Sequence, residues 1–225
     1  MKNIFLILFI FAGVGETITT LTEVPLLEMI CKPALMITLG LYYVTSQHEG
    51  QQPLAFSLML AIIFSCIGDV LLMLQHMSSN FFMFGLAAFL IAHVFYILTY
   101  KQHQQEESAD ELRGLQKLRF SFPIILSGTG LVTILYNHLG DLKIPVVIYA
   151  AVLTYMVVTA LFRFGKTTTA SFTMVFGGAI LFMISDSLIA ISKFLDPIEY
   201  GRFWIMSTYI GAQFLIVKGL LKHPD

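Results

Sequence analysis

Charged side chains are scarce in this sequence. Asp, Glu, Lys and Arg together make up 12% of its 225 residues, whereas 57% of the residues are hydrophobic. A soluble domain carries about 25% charged residues, so this chain has too few to cover a water-facing surface. Its formal net charge of −1 creates no positive field, and we expect no nucleic-acid partner. The composition therefore predicts an integral membrane protein.

Cysteine and deeply placed histidine are also rare. The two cysteines, Cys31 and Cys66, lie in or beside apolar runs, which disfavours a structural disulfide or a zinc knuckle. His93 is the only histidine deep within an apolar run, so a multi-histidine zinc site is not expected. An Asp–Asp–His metal site stays open, and we predict no cofactor. The GxSxG, HExxH and Walker motifs are missing from the sequence as well.

What the chain does contain is a series of apolar runs long enough to cross a hydrocarbon core about 30 Å thick. They predict an all-α membrane protein, a bundle of about eight transmembrane helices forming a single polytopic domain over residues 1–225. The predicted spans are 3–20, 31–46, 54–75, 80–101, 120–138, 143–163, 170–193 and 202–221. The first run could instead be the apolar region of a signal peptide, although no clean cleavage site follows it.

Prolines and basic residues indicate the connections and the orientation. All seven prolines lie in predicted loops or near predicted span ends, so none is expected to interrupt the middle of a span. The hydrophilic stretch 101–119 is predicted to be a solvated connector. Of the 13 lysines and arginines, nine fall on the side of the N-terminus and four, Lys32, Lys143, Lys193 and Arg202, on the other. This bias predicts that both termini lie in the cytoplasm. The membrane is expected to be that of the endoplasmic reticulum in a eukaryote or the inner membrane in a bacterium.

Several ionisable residues nevertheless lie inside the predicted spans. At 1.5 Å per residue, Asp69 and Asp186 each lie about 7 Å beyond the midpoint of their span, on the non-cytoplasmic side. Glu16 and Lys32 fall near the same level, and His93 lies nearer the middle. A charge near the bilayer centre costs roughly 2.5–3.5 kcal/mol, so such residues normally face a cavity or a partner. These residues could be polar contacts between helices, but two aspartates at matched depth favour a functional pocket.

The sequence around the two aspartates supports that interpretation. Ser65 and Gly68 beside Asp69 form a small-residue face that permits close helix packing. Three- and four-residue spacing places Gly178, Phe182 and Ala190 on the same helix face as Asp186. A second face carries Gly85, Phe89, His93 and Tyr96, and a third carries Tyr209 and Gln213. Phe89 and Phe182 are expected to line a channel for a lipid tail rather than to face the membrane. The similar segments "IGDVLLM" and "ISDSLIA" suggest a weak four-plus-four internal repeat.

Six segments together resemble a known family. They are "CKPALMITLGLY", "IGDVLLM", "FGLAAFLIAHVFYI", "VVIYAAVLTYMVVTAL", "GGAILFMISDSLIAISKF" and "YIGAQFLIVKGLL", in that order over some 190 residues. Their Lys-Pro, Gly-Asp, His-x-x-Tyr, Ser-Asp and Ala-Gln elements are similar to those of the YhhN-like multi-pass membrane proteins, which include lysoplasmalogenase. The resemblance implies hydrolysis of the vinyl ether bond of lysoplasmalogen to a fatty aldehyde and a glycerophospho-alcohol.

Two carboxyl groups suit this implied reaction, because protonation of an enol ether creates an oxocarbenium ion, as in glycosidases. We therefore expect Asp69 and Asp186 to be catalytic, with His93 assisting, and either aspartate could be the acid. The predicted substrate-binding residues are Lys32 for the phosphate, Tyr149 and Gln213 for water or the glycerol hydroxyl, and Tyr96 and Tyr209. The predicted partners are a lysophospholipid and membrane lipids. The alternatives are a proton-coupled transporter, a non-enzymatic lipid-binding protein, and an enzyme of the same family that acts on a different lipid.

Overall fold

The computed structural model describes residues 1–22, 25–105 and 110–223, except the side chains of Pro25 and Ser79. Within these ranges the chain forms eight α-helices and no β-strand, which confirms the predicted all-α architecture. The helices are α1 (Lys2–Thr22), α2 (Pro25–Gly50), α3 (Phe56–Met73), α4 (Ser79–Gln102), α5 (Leu115–Leu135), α6 (Lys143–Leu161), α7 (Thr169–Phe194) and α8 (Gly201–Leu220).

Each of the eight described helices is long and apolar enough to cross a membrane. In lipid, every backbone N–H and C=O must be satisfied within the protein, and a helix does this inside one segment. The outer faces also carry large apolar side chains, among them Phe11, Phe56 and Ile144, which are each at least 70% exposed. Length, composition and exposed surface together show an integral multi-pass membrane protein.

Two helices begin earlier than predicted. Helix α2 begins at Pro25 rather than at residue 31, and α5 begins at Leu115 rather than at residue 120. Pro33 and Pro123 therefore lie inside helices, and the prediction that prolines stay near span ends was wrong. The first turns of α5 are polar, with Gln116, Lys117 and Arg119, and in α2 the charged Glu28 and Lys32 interrupt an apolar stretch, so hydropathy places both starts too late. Both helices continue through their prolines without a break.

The chain divides into two compact units, the first from Met1 to Thr99 and the second from Tyr100 onwards. The first contains α1, α2, α3 and nearly all of α4, and the second contains α5 to α8. The boundary falls where a four-plus-four repeat would place it. The repeat itself and the single domain over residues 1–225 stay predictions.

Small residues bring the helices of the first unit together. A Cβ at Gly15 in α1 would lie 2.8 Å from the Cys31 sulfur in α2, and a Cβ at Gly68 in α3 would lie 2.6 Å from the Phe89 ring in α4. The close approach of α3 and α4 at Gly68 agrees with the small-residue face predicted from the sequence. These contacts place the segments that carry Glu16, Lys32 and Asp69 against neighbouring helices.

The second unit uses the same kind of packing. A Cβ at Gly178 in α7 would lie 2.8 Å from the Ala212 carbonyl oxygen in α8, so the two backbones approach directly. The Ser185 hydroxyl donates a hydrogen bond to the Ile205 carbonyl oxygen at 3.0 Å. Helices α7 and α8 are therefore held in a defined antiparallel register around Asp186.

Candidate active site

Asp69 and His93 lie on facing surfaces of α3 and α4. Asp69 is 4% exposed, and His93 and Tyr96 are completely buried. The two helices pair Gly68 with Phe89 and Leu72 with Gly85, and the Thr99 hydroxyl donates to the Ser57 hydroxyl at 2.9 Å. In this antiparallel register Asp69 lies opposite Ala88, so His93 is five residues away, about 7.5 Å along the axis.

The contacts of α2 bring Lys32 to the same level. A Cβ at Gly40 would lie 3.5 Å from the Ile62 side chain, so these two residues face each other across antiparallel helices. Counting equal numbers of residues from that pair places Lys32 opposite Val70, next to Asp69. The layer of ionisable groups predicted from span depth is thus consistent with the helix register within the first unit.

Lys32 is held by two carboxylates. Its ammonium group lies 3.1 Å from Oε1 of Glu28 and 3.8 Å from Oε1 of Glu16. Glu16 is completely buried, and the Thr19 hydroxyl donates to its carbonyl oxygen at 2.7 Å. The charge of Lys32 is therefore already balanced within the protein, and a substrate phosphate would have to share it.

Asp186 is the centre of a second cluster, formed by α6 and α7. The Tyr149 hydroxyl donates a hydrogen bond to Oδ2 of Asp186 at 2.5 Å. This lies at the short end of the range for hydrogen bonds between oxygen atoms. Tyr149 is buried, whereas Asp186 remains partly exposed. The tyrosine therefore orients the carboxylate while leaving part of it accessible.

The residues predicted around Asp186 lie at different distances along the helices. The Phe182 and Tyr209 rings meet edge to face at 5.5 Å between centroids, about one turn from Asp186. Gln213 is buried and lies opposite Gly178 in the α7–α8 register, about 12 Å from Asp186 along the axis. Tyr209 therefore lies near the level of Asp186, whereas Gln213 lies about two helical turns away from it.

The predicted site residues therefore fall into two sets. The first unit carries Lys32, Asp69, His93 and Tyr96, and the second carries Tyr149, Asp186, Tyr209 and Gln213. Phe89 and Phe182 are both buried rather than facing lipid, as expected. The joint action of Asp69 and Asp186 and the individual roles of these residues stay predictions. In the part of the chain that the structure describes, no three His, Cys, Asp or Glu side chains form a group that could hold a metal ion.

Glu28 was missed by the sequence reasoning. It lies four residues before Lys32, an acid-before-base spacing that favours an ion pair on one helix. The spacing was visible, but the predicted start of α2 at residue 31 left Glu28 outside the helix. The earlier helix start is what brings the Glu28 carboxylate to Lys32.

These helices and their internal carboxylates define a multi-pass membrane protein with buried polar side chains inside its helices. The YhhN family model matches residues 27–220, so the chain belongs to the YhhN family. It is similar to lysoplasmalogenase TMEM86A of Bos taurus, with 29% identity over 77% of this chain and 68% of the relative. The human protein of the same name is 27% identical over 91% of this chain and 79% of its own length. A lysoplasmalogenase of Mycobacterium tuberculosis is 33% identical over 73% of this chain and 61% of its length. No solved structure is significantly similar to this chain.

Proposed function

We propose that this protein is an ether-bond hydrolase that cleaves the vinyl ether bond of alkenyl lysophospholipids. Relatives named lysoplasmalogenase occur in mammals and in mycobacteria at 27–33% identity, which supports an enzyme of this class. The substrate would be a single-chain lipid with a choline or ethanolamine headgroup. The products would be a fatty aldehyde and the corresponding glycerophospho-alcohol.

The reaction needs one proton donor and one carboxylate. The acid protonates the alkene carbon remote from oxygen, and the positive charge is shared between the other carbon and the ether oxygen. Water adds to this oxocarbenium ion and loses a proton to a base. The resulting hemiacetal breaks its bond to the glycerol oxygen, which takes up a proton as the aldehyde forms. The overall change consumes one water and no redox partner.

The observation that carries the mechanism is the hydrogen bond from Tyr149 to Asp186. A carboxylate that accepts this bond is held in one orientation. We assign Asp186 as the carboxylate that faces the developing positive charge. Asp69, buried on α3 in the first unit, is then the proton donor. His93, Tyr96, Tyr209, Gln213 and Lys32 are assigned to positioning of water, glycerol and phosphate.

The test is release of aldehyde from lysoplasmalogen by the purified protein. Asp69→Asn and Asp186→Asn should each remove most turnover while the protein stays folded. The double variant should lose little more than either single variant, because residues that act as one unit are not additive. Asp196→Asn, which changes an exposed aspartate beyond the end of α7, is the matched control and should keep full activity. Near-normal turnover in either single variant would reject the two-carboxylate mechanism.

The transporter alternative receives no support from the helices. Transporters commonly form their binding sites from discontinuous helices near the membrane midplane. Helices α2 and α5 contain Pro33 and Pro123, yet both are continuous. Absence of aldehyde release with uptake of a solute into proteoliposomes would nevertheless favour that alternative.

A further inference from the structure

A groove runs between α5 and α7 in the second unit. It is lined by Pro123, Ile124 and Ser127 of α5 and by side chains of α7 between Ile180 and Leu188. Its volume is about 340 Å³, which lies within the range of about 300–1,000 Å³ that is common for small-molecule pockets. Ile180 lies near the middle of α7, and Leu188 lies about 12 Å further along the axis. The groove is therefore elongated along α7.

The lining of this groove is apolar. Two serines contribute to it, but each hydroxyl donates a hydrogen bond within its own helix. Ser127 donates to the Pro123 carbonyl oxygen at 2.8 Å, and Ser187 donates to the Met183 carbonyl oxygen at 2.6 Å. The other lining side chains are those of proline, isoleucine, methionine and leucine. The groove therefore suits a hydrocarbon rather than a ligand that needs hydrogen bonds.

Three helices meet beside the groove at Gly128, a buried residue of α5. A Cβ at Gly128 would collide with the Thr154 hydroxyl of α6 and would lie 3.5 Å from the Met183 methyl carbon of α7. The side chain of Met183 therefore belongs both to this contact and to the lining of the groove. The contact places α6, the helix that carries Tyr149, next to the groove.

The groove opens within the membrane-spanning part of the chain. Pro123, Ser127 and Ile184 are exposed at its opening, and Phe122 and Leu126 beside it are each more than half exposed. In a bilayer these side chains meet lipid, so an apolar chain can enter the groove from the side. Such a chain is already surrounded by hydrocarbon, so transfer into the groove gains little hydrophobic free energy. The groove would act mainly by holding the chain in one position.

The proposed reaction needs a chain site next to its carboxylate. In an alkenyl lysophospholipid the vinyl ether contains the first two carbons of the chain, so the rest of the chain begins directly at the reacting bond. Met183 and Ser187, which line the groove, lie three residues before and one residue after Asp186. The groove thus passes within about one helical turn of the carboxylate. Phe182 lies on another face of α7, where its ring packs against Tyr209 of α8.

We propose that the groove between α5 and α7 holds the hydrocarbon chain of the single-chain lipid substrate and so places the vinyl ether at Asp186. This inference rests on the proposed hydrolysis and adds the location of the chain. The chain would run from Asp186 toward Ile180, near the middle of α7, and the headgroup would lie toward the C-terminal end of that helix. Ser127 and Ile180 are then positioning residues, which contact the chain and not the reacting atoms.

Photochemical labelling of the full chain in phosphatidylcholine nanodiscs tests the groove without requiring turnover. The probe is a choline lysophospholipid whose saturated ether-linked chain carries a diazirine at its middle, and mass spectrometry identifies the labelled residues. Residues 123–127 and 180–188 should be labelled, and an excess of unlabelled lysophospholipid should reduce that labelling several-fold. Phe11, which is 70% exposed on α1, reports contact with bulk lipid and should show no such competition. Groove labelling that resists competition as Phe11 does would show that bilayer lipid alone fills the groove, and would overturn the proposal.

Ser127→Phe fills the groove and tests its role in turnover. Aldehyde release should fall by about ten- to a hundredfold in kcat/KM, because a displaced chain no longer aligns the reacting bond. The loss should be smaller for a short-chain alkenyl lysophospholipid, a difference that a general folding defect would not produce. Thr129→Phe is the matched control, because Thr129 is also exposed on α5 and its hydroxyl donates to the carbonyl oxygen four residues earlier at 2.8 Å. Equal losses in the two variants, or a loss that does not depend on chain length, would reject the positioning role.

The two experiments separate this inference from the proposed function. Competed labelling of the groove without any aldehyde release would reject the hydrolysis and leave the groove as a site for a single-chain lipid. Aldehyde release by the unaltered protein, without competed labelling of the groove, would keep the hydrolysis and reject the groove.

Discussion

At the scale of single residues, the charged groups within the spans are held by specific polar neighbours. Asp186 accepts a hydrogen bond from Tyr149 at 2.5 Å, and Lys32 lies 3.1 Å from Glu28 and 3.8 Å from Glu16. Such contacts offset the cost of keeping ionised groups out of water. They also fix the direction in which each group points, which is what a catalytic role would require.

Tyr149→Phe removes the hydrogen bond to Asp186 and keeps the ring. A hydrogen bond to a charged group contributes about 1.5–3 kcal/mol, so turnover should fall by roughly ten- to a hundredfold. Aldehyde release per folded molecule is the measurement. Tyr155→Phe is the matched control, because Tyr155 lies on the same helix and its hydroxyl contacts Lys101 instead. Equal loss in both variants would indicate a general effect of α6 rather than orientation of Asp186.

Lys32→Gln should destabilise the protein, because it leaves Glu16 and Glu28 without their cation. Removing one member of a buried ion pair costs about 3–5 kcal/mol, and the slight exposure of Lys32 places the expected loss near the lower value. Adding Glu16→Gln to Lys32→Gln should restore part of the stability. Thermal unfolding of the single and double variants measures this coupling, and strictly additive losses would show that the two residues do not interact.

At the scale of helices, glycine decides how closely neighbouring elements pack. The α3–α4 contact at Gly68 and the α7–α8 contact at Gly178 leave no room for a side chain. The first brings the helix that carries Asp69 against the helix that carries His93. The second sets the register around Asp186. Each contact therefore links a small residue in the sequence to the placement of a neighbouring acid.

Gly68→Ala should be destabilising even though alanine is the better helix former. The new methyl group would lie 2.6 Å from the Phe89 ring, and overpacking of this kind costs about 1–3 kcal/mol. Activity should fall as well, since α3 must move and Asp69 moves with it. Gly177→Ala is the control, because its Cβ meets nothing within 4 Å and the change should be neutral or slightly stabilising. Thermal unfolding measures the stability of the Gly68→Ala and Gly177→Ala variants, and aldehyde release measures their activity.

At the scale of the whole molecule, an even number of spans and the distribution of charge determine the expected orientation. The eight described helices are each long enough to cross the bilayer. With nine of the 13 lysines and arginines on the side of the N-terminus, the positive-inside rule favours a cytoplasmic location for both termini.

Reporter tags at the two ends test this orientation. Both tags should be protected in intact right-side-out cells and become accessible only after the membrane is permeabilised. A tag introduced in the connection between α1 and α2 should be accessible from outside in the same cells. Tags at the two termini that report opposite sides would contradict eight crossings.

The sequence alone was sufficient for the membrane class, the number of spans and the family, whereas the roles of the candidate site residues stay predictions. Apolar length and the shortage of charge are properties of the chain that do not depend on folding, and lipid permits few backbone structures other than helices. The positions of Asp69 and Asp186 within their spans followed directly from helical rise. The helix starts at Pro25 and Leu115 did not, because charged residues near them, Glu28 in α2 and Lys117 in α5, obscure the hydropathy pattern.

Only the tertiary structure decided which groups meet. The pairing of Tyr149 with Asp186 joins residues 37 positions apart, and the pairing of Lys32 with Glu16 depends on the contact of Gly15 with Cys31. The burial of Arg163 against His103 and Ser171 likewise had no signal in the sequence. Helical periodicity determines which residues share a face, but it does not determine the rotation and register of one helix against another. Those depend on the side chains that pack between them.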